Sequence, residues 1–201
     1  MIKIEAIVLA AGYSSRANAF KMTLPLGQMS VLEQSISKFE GLCSRVIVVA
    51  GFQAEIIQAE VAKICNKNAF SFQIKVVYNE NFNQGMFSSI QKGCNELKAP
   101  TFYITPGDCP LVKKETVQLI AEHKGNVVIP SFHYKGGHPI KLSSEVKQKI
   151  LETNPESNLR VVLNSYEKQY LNVDDPGVLM DVDTPEDYQK AVKYFHDCYS
   201  D

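Results

Sequence analysis

Small residues, hydroxyls and cations follow the first apolar run of the chain. The stretch "AIVLAAGYSSRANAFK" (residues 6–21) contributes Ala10, Ala11, Gly12, Ser14, Ser15, Arg16 and Lys21. The small residues let a bulky ligand lie against the backbone, and the serines and backbone N–H groups are neutral donors. Arg16 can hold a phosphate through two parallel hydrogen bonds, whereas Lys21 acts as a mobile point charge. The composition suits a polyphosphate, although it matches neither a P-loop nor a GxGxxG fingerprint.

A carboxylate follows the fourth predicted strand. Asp108 lies in "TPGDCPLV" (residues 105–112), between Pro106 and Pro110, which fix the backbone on both sides. Mg²⁺ prefers carboxylate, water and phosphate oxygens, so this aspartate can hold a metal beside a polyphosphate. In the alternative interpretation, Asp108 is an ordinary turn residue and the first stretch is a strand-to-loop connection with two solvated cations.

A second pair of carboxylates lies in "LMDVDTPEDY" (residues 179–188). Asp181 and Asp183 alternate along a predicted strand, so only one of them can face a site shared with Asp108. We favour Asp183, which lies beside the predicted start of the last helix. Thr184 is the expected N-cap of that helix, with Pro185 at its first position.

Three further segments carry candidate binding residues. "NENFNQGMFSSIQKG" (residues 79–93) places Gly85 and Ser88 at a helix start, where free N–H groups could read the edge of a base. Taken alone, this segment is better explained as an ordinary N-cap. His138 in "YKGGHPIKL" and Arg160 in "SNLRVVL" could touch a second, anionic substrate, and for His138 a structural role is as plausible. His133 and His138 have no third ligand nearby in sequence, so we expect no zinc site.

The elements that must position these residues alternate along the chain. Short runs rich in Val and Ile, such as "RVIVVAG", precede helical patterns such as "QAEIIQAEVAKIC". This alternation predicts an α/β domain with a mostly parallel sheet, whose ligands bind beyond the carboxyl ends of the strands. After residue 130 the pattern changes, with a strand expected at "HPIKLS" and a helix at "SEVKQKILE".

Composition narrows the class of protein. The 201 residues fit one domain over 1–201, and the net charge of −1 provides no general attraction for nucleic acid or acidic membranes. No apolar run approaches the roughly 20 residues that cross a bilayer, and no signal peptide is recognisable. Five widely spaced cysteines without a CxxC predict reduced thiols and a cytoplasmic protein.

The ordered motifs resemble a known family. LAAGxSSRxxxxK…LPLG, NxxFxxGMxSSI, GDxP, GHP and DVDTPED, from Ile7 to Tyr188, are similar to the MobA-like nucleotidyltransferases, and most of all to the molybdenum cofactor cytidylyltransferases. Ala17 and Asn18 stand where the family usually has Met-Gly. The resemblance implies a three-layer, Rossmann-like, doubly wound α/β fold of the nucleotide-diphospho-sugar transferase type.

The resemblance also implies roles for residues. Those implied to bind nucleotide are Leu9, Ala10, Ala11, Gly12, Ser14, Ser15, Arg16, Lys21, Gly85, Ser88 and Asp108. Arg16, Lys21 and Asp108 would be catalytic, Asp108 and Asp183 would hold Mg²⁺, and His138 and Arg160 would lie toward the acceptor.

The implied reaction transfers CMP from CTP to molybdopterin, releases pyrophosphate and delivers its product to a molybdenum hydroxylase. The acceptor phosphate is already anionic, so we expect positioning and charge neutralisation without a general base. Three alternatives stay open. The enzyme could be a sugar- or polyol-phosphate nucleotidyltransferase, a guanylyltransferase of the same fold, or the chain could only bind nucleotide or molybdenum cofactor.

Overall fold

The computed structural model describes residues 4–13 and 20–199. Its strands are β1 (Ile4–Ala10), β2 (Pro25–Leu26), β3 (Met29–Ser30), β4 (Cys43–Ala50), β5 (Gln73–Tyr78), β6 (Thr101–Pro106), β7 (Val127–Phe132), β8 (Lys135–Gly136), β9 (Ile140–Ser143) and β10 (Lys168–Asn172). Its α-helices are α1 (Val31–Ser37), α2 (Ala54–Asn66), α3 (Met86–Glu96), α4 (Lys114–Glu122), α5 (Ser144–Glu152), α6 (Leu159–Leu163) and α7 (Pro185–Tyr199).

One eight-stranded sheet carries the fold. Its order is β10-β7-β9-β6-β1-β4-β5, and β8 pairs with β7. The pairs β6-β1, β1-β4, β4-β5 and β10-β7 are parallel, whereas β9 runs antiparallel to both β6 and β7. This confirms the mostly parallel sheet. The strands β2 and β3 form a separate antiparallel pair.

Helices cover both faces of the sheet. All seven residues of β1 are buried, and its six apolar residues are divided between two apolar cores on opposite faces of the sheet. Ala6 and Val8 pack in the core that α1, α2 and α4 cover, whereas Ile7 and Leu9 pack in the core that α3, α5 and α6 cover. A continuous apolar run is what a strand buried on both faces requires. The three-layer, doubly wound architecture is therefore confirmed.

The last helix packs outside these two layers. Leu26, Val31, Leu111, Val182 and Ala191 form a third apolar cluster, which joins α7 to the β2-β3 pair. The start of α7 has the expected cap, since Thr184 Oγ1 accepts from Asp187 N over 3.1 Å and Thr184 N donates to Asp187 Oδ2 over 3.2 Å.

The strand predicted over Asp181–Asp183 is wrong. These residues have no regular secondary structure, because Val182 N donates to Asp108 O of the loop after β6 instead of to a neighbouring strand. Within residues 4–13 and 20–199, no helix combines the length and apolar character that crossing a membrane demands.

Candidate active site

The site lies where two parallel strands end. Leu9 of β1 is paired with Pro106 of β6, so the loops that follow these strands start side by side. Gly107 N donates to Leu9 O over 2.9 Å, which ties the second loop to the end of the first strand. Asp108 is thereby placed beside the residues that follow β1, as the sequence predicts.

Lys21 joins two carboxylates from distant parts of the chain. Its Nζ donates to Asp108 Oδ2 and, over 2.8 Å, to Asp183 Oδ1. Burial lowers the pKa of Lys21, but the charges and hydrogen bonds of Asp108 and Asp183 outweigh this effect and raise it. The ammonium therefore stays protonated at neutral pH and neutralises one of the two negative charges.

Asp183, and not Asp181, is the second carboxylate of this group. The side chain of Asp183 contacts Lys21 and is 46% exposed, so it can also reach a ligand. Asp181 is exposed and does not line the cavity. Partial burial and the charges of Asp183 and Asp108 raise the pKa of Asp181.

A cavity of about 390 Å³ opens above these three charged groups. It is lined by Leu9, Ala11, Gly12, Tyr13, Lys21, Met22, Phe82, Asn83, Gly85, Met86, Ser89, Pro106, Asp108 and Asp183. One end carries the cation and the two carboxylates, whereas the remaining lining is mostly apolar. Such a cavity suits a ligand with a flat apolar part and an anionic part.

An aromatic wall forms the apolar end. The ring of Tyr13 lies 5.0 Å from that of Phe52 and 5.5 Å from that of Phe82, both in tilted arrangements. Tyr13 is nevertheless 57% exposed, so its ring is available to a ligand. Gly51 permits this packing, because a Cβ at that position would lie 2.5 Å from Phe82 Cβ. Phe82 is the Phe of the NxxFxxGMxSSI motif, whereas no sequence motif points to the rings of Tyr13 and Phe52.

Several predicted nucleotide-binding residues line the cavity, namely Leu9, Ala11, Gly12, Lys21, Gly85 and Asp108. Ala10 does not, because its side chain points to the opposite face of the sheet, into the core beneath α1 and α2. Ser14, Ser15 and Arg16 lie outside the described residues, so their roles stay predictions.

Ser88 is buried beside the cavity without lining it. Its hydroxyl donates to Gly85 O over 2.8 Å and accepts from Asn79 Nδ2 over 2.9 Å. Asn79 Nδ2 also donates to Ser89 Oγ over 2.9 Å, and Ser89 is the serine that lines the cavity. Ser88 therefore supports the loop before α3, although the resemblance implies that Ser88, and not Ser89, binds nucleotide; that role of Ser88 stays a prediction.

His138 and Arg160 do not line the cavity either. The imidazole of His138 is largely buried, with Nδ1 inaccessible and without a hydrogen-bond partner. Burial and the charge of Lys38 lower the pKa of His138 to about 4, so the ring is neutral. Arg160 is exposed on α6. A contact of either residue with an acceptor stays a prediction.

Cys109, next to Asp108, is a buried thiol whose pKa burial raises to about 12. All five cysteines of the chain are free. At neutral pH this thiol is therefore expected to be protonated, and its side chain is packed in the protein interior.

The donor set fits a divalent cation. Asp108 and Asp183 already converge on one positive charge, that of Lys21, and Mg²⁺ is commonly held by one or two carboxylates together with phosphate oxygens. Among the residues that the structure describes, no group of three or more His, Cys, Asp and Glu side chains could enclose a metal. The arrangement therefore suits an ion that a ligand helps to hold.

The chain is similar in sequence to known nucleotidyltransferases. Residues 6–170 match the MobA-like NTP transferase domain. The molybdenum cofactor cytidylyltransferase of Escherichia coli (strain K12) is 26% identical over 95% of this chain and 96% of its own. A probable molybdenum cofactor guanylyltransferase of Carboxydothermus hydrogenoformans is 25% identical over 97% and 98%.

Solved structures share the fold. A nucleotidyl transferase from Methanothermobacter thermautotrophicus has a TM-score of 0.80 at 20% identity, covering 96% of this chain and 97% of its own. A protein of Mycobacterium tuberculosis H37Rv, solved in complex with manganese, has a TM-score of 0.74 at 22% identity over 95% and 98%.

Proposed function

We propose that this chain, which belongs to the MobA-like NTP transferase family, transfers CMP from CTP to a phosphorylated acceptor of the molybdopterin type and releases pyrophosphate. The observation that carries the proposal is the position of Lys21 between Asp108 and Asp183, at the charged end of a cavity with an aromatic wall. The cytidylyltransferase of E. coli, similar over nearly its whole length, supports the choice of CTP and of the acceptor.

The roles of the residues follow from the two ends of the cavity. The base would lie against Tyr13, Phe82 and the backbone at Gly85, and the triphosphate would extend toward Lys21. Arg16 would add a second cation at the phosphates. Asp108 and Asp183 would hold Mg²⁺, which when bound supplies neutralisation of phosphate charge; the manganese complex of the mycobacterial neighbour is consistent with such a site.

In the reaction, an acceptor phosphate oxygen attacks the α-phosphorus while the bond to pyrophosphate breaks. Lys21 would neutralise charge as it develops on the leaving phosphates. No general base is needed because the nucleophile carries its own negative charge. Ala11 and Gly12 line the cavity and have little or no side chain, so the nucleotide would lie against the backbone there.

Transfer of GMP is a second candidate. It is favoured by the similarity to the guanylyltransferase of C. hydrogenoformans, which also spans nearly the whole chain.

The five free thiols support a reducing, cytoplasmic location, and a molybdenum hydroxylase is the proposed recipient of the product.

A thermal-shift assay with Mg²⁺ and each of CTP, GTP, ATP and UTP tests the proposal first. A ligand at about 100 times its Kd adds about 2.7 kcal/mol to the free energy of unfolding. We expect a shift with CTP that Asp108→Ala removes, followed by pyrophosphate release once molybdopterin is added. A shift with GTP alone would favour guanylyl transfer, and no shift with any nucleotide would contradict both candidates.

A further inference from the structure

Lys38, just after α1, is a buried lysine directly behind the Asp108 loop. The residue is 3% exposed. Its Nζ donates to Cys109 O over 2.8 Å and to Thr105 Oγ1 over 3.3 Å. These two acceptors lie on either side of residues 106–108, so one ammonium group is hydrogen-bonded to both ends of the loop that carries Asp108.

Burying this cation is costly. Both acceptors are neutral, and among the described residues no carboxylate forms an ion pair with Lys38. Burial lowers the pKa of Lys38 to about 8, although the charges of Asp108 and Asp175 partly oppose this effect. An apolar side chain of similar length would avoid the desolvation cost. The cation therefore needs an explanation beyond packing.

The backbone bonds around Lys38 indicate what it holds. Gly107 N donates to Leu9 O, and Val182 N donates to Asp108 O, each over 2.9 Å. These bonds fix the loop to β1 and to the Asp183 segment. Lys38 supplies the remaining attachment, from the helix layer, at the carbonyl of the residue that follows Asp108.

We propose that Lys38 is a positioning residue, which holds the Asp108 loop so that the carboxylates of Asp108 and Asp183 converge on a cation. The inference rests on the proposed function in so far as that cation is the metal of the reaction. The part of the inference that concerns structure, namely that Lys38 holds the Asp108 loop through hydrogen bonds, does not depend on the reaction.

Lys141 provides a matched control. It is 4% exposed, and its Nζ donates to two neutral carbonyl oxygens at the end of α4, Ala121 O over 3.1 Å and His123 O. Burial lowers the pKa of Lys141 as well. Lys141 does not line the cavity, so Lys141→Met removes a similar buried cation without touching the site.

The first experiment titrates Mn²⁺ alone into the wild type, Lys38→Met and Lys141→Met, with free Mn²⁺ measured by electron paramagnetic resonance. We expect Lys38→Met to bind Mn²⁺ about 10-fold to 100-fold more weakly, the range typical of residues that support metal ligands. Lys141→Met should bind as the wild type does. Equal binding by Lys38→Met, or an equal loss in Lys141→Met, would overturn the proposal.

Hydrogen exchange separates this inference from the proposed function. In Lys38→Met, the amides of Gly107 and Val182 should exchange faster than in the wild type, and in Lys141→Met they should not. If the wild type binds no Mn²⁺, the metal role fails, and the exchange rates still decide whether Lys38 holds the loop. Unchanged exchange of the Gly107 and Val182 amides in Lys38→Met would show that Lys38 does not hold the loop.

Thr105→Val covers the case in which Lys38→Met does not fold. Valine keeps the shape of the fully buried Thr105 and removes the hydroxyl, which accepts from Lys38 and also donates to Pro106 O over 3.2 Å. We expect a weaker loss of Mn²⁺ affinity in the same direction and faster exchange at Gly107. Wild-type values for both measurements would contradict the proposal.

Discussion

The backbone N–H of Val182 donates to the carbonyl oxygen of Asp108 over 2.9 Å, and this bond joins the two acidic segments of the site. Asp183, the next residue, is thereby brought within 2.8 Å of Lys21 Nζ, which also pairs with Asp108. The backbone bond thereby holds the two acidic segments together, and Lys21 Nζ lies between their carboxylates.

Asp183→Asn should reduce kcat/KM for nucleotidyl transfer at least about 100-fold, the cost typical of removing one preorganised charged contact to a reacting group. Asp181→Asn is the matched control, because Asp181 belongs to the same segment but lies outside the cavity. Steady-state kinetics at several Mg²⁺ concentrations would measure both. An equal loss in Asp181→Asn would mean that the segment, and not the Asp183 carboxylate, matters.

Lys21→Met should have two opposite effects. Transfer should slow about 100-fold because the cation at the phosphates is lost. Mn²⁺ should bind the nucleotide-free protein at least about 10-fold more tightly, since even about 1.4 kcal/mol of lost competition gives that factor. Titration with Mn²⁺ measures the second effect. The control is Lys92→Met, whose lysine pairs with Glu80 outside the cavity. Unchanged Mn²⁺ affinity in Lys21→Met would show that the ammonium does not occupy the metal position.

Tyr13→Ala should raise KM for CTP about 5-fold and leave kcat nearly unchanged, because an aromatic contact contributes about 1 kcal/mol. Tyr134 is a suitable control, since it is 100% exposed at the turn between β7 and β8. Tyr134→Ala should have wild-type kinetics. A Tyr13→Ala variant that loses kcat and keeps KM would place the base elsewhere.

Acid should destabilise the protein through His138. Burial lowers its pKa from 6.5 to about 4, so between these values the unfolded chain binds a proton that the folded chain does not. Stability contributed by the neutral ring is complete above pH 6.5 and falls as the pH decreases. The loss is about 2 kcal/mol at pH 5.

Urea unfolding of the wild type and His138→Gln at pH 8 and pH 5 would measure this loss. Other titrating groups are common to both proteins, so the difference between their pH dependences isolates the histidine. His133→Gln, at an exposed position, should keep the wild-type dependence. An identical pH dependence in His138→Gln would disprove the assignment.

The sequence predicted the sheet and named half of the residues that line the cavity, because these features depend on local patterns. Continuous apolar runs identified β1, β4 and β6, and the carboxyl-end rule then placed Gly12, Lys21 and Asp108 together. The direction of β9 could not be read from "HPIKLS", because its composition does not show which neighbours it pairs with.

Other features of the site depend on where a helix begins, because the first residue of a helix decides which side chains face the cavity. Ser88 and Ser89 are separated by about 100° around α3, so one supports the loop and the other faces the cavity. Only the position of the helix start decides which serine does which. The aromatic wall depends on contacts between three separate loops, at Tyr13, Phe52 and Phe82, which no local pattern reveals.

The double ion pair of Lys21 has a consequence for how the protein tolerates metal shortage. Two facing carboxylates without a counter-ion would repel each other and strain the loops that carry them, but here the chain supplies its own counter-ion. We therefore expect folding not to depend on metal supply, since Lys21 already places a positive charge between the two carboxylates. Without metal, the protein would stay folded but inactive until a nucleotide and its metal ion bind together.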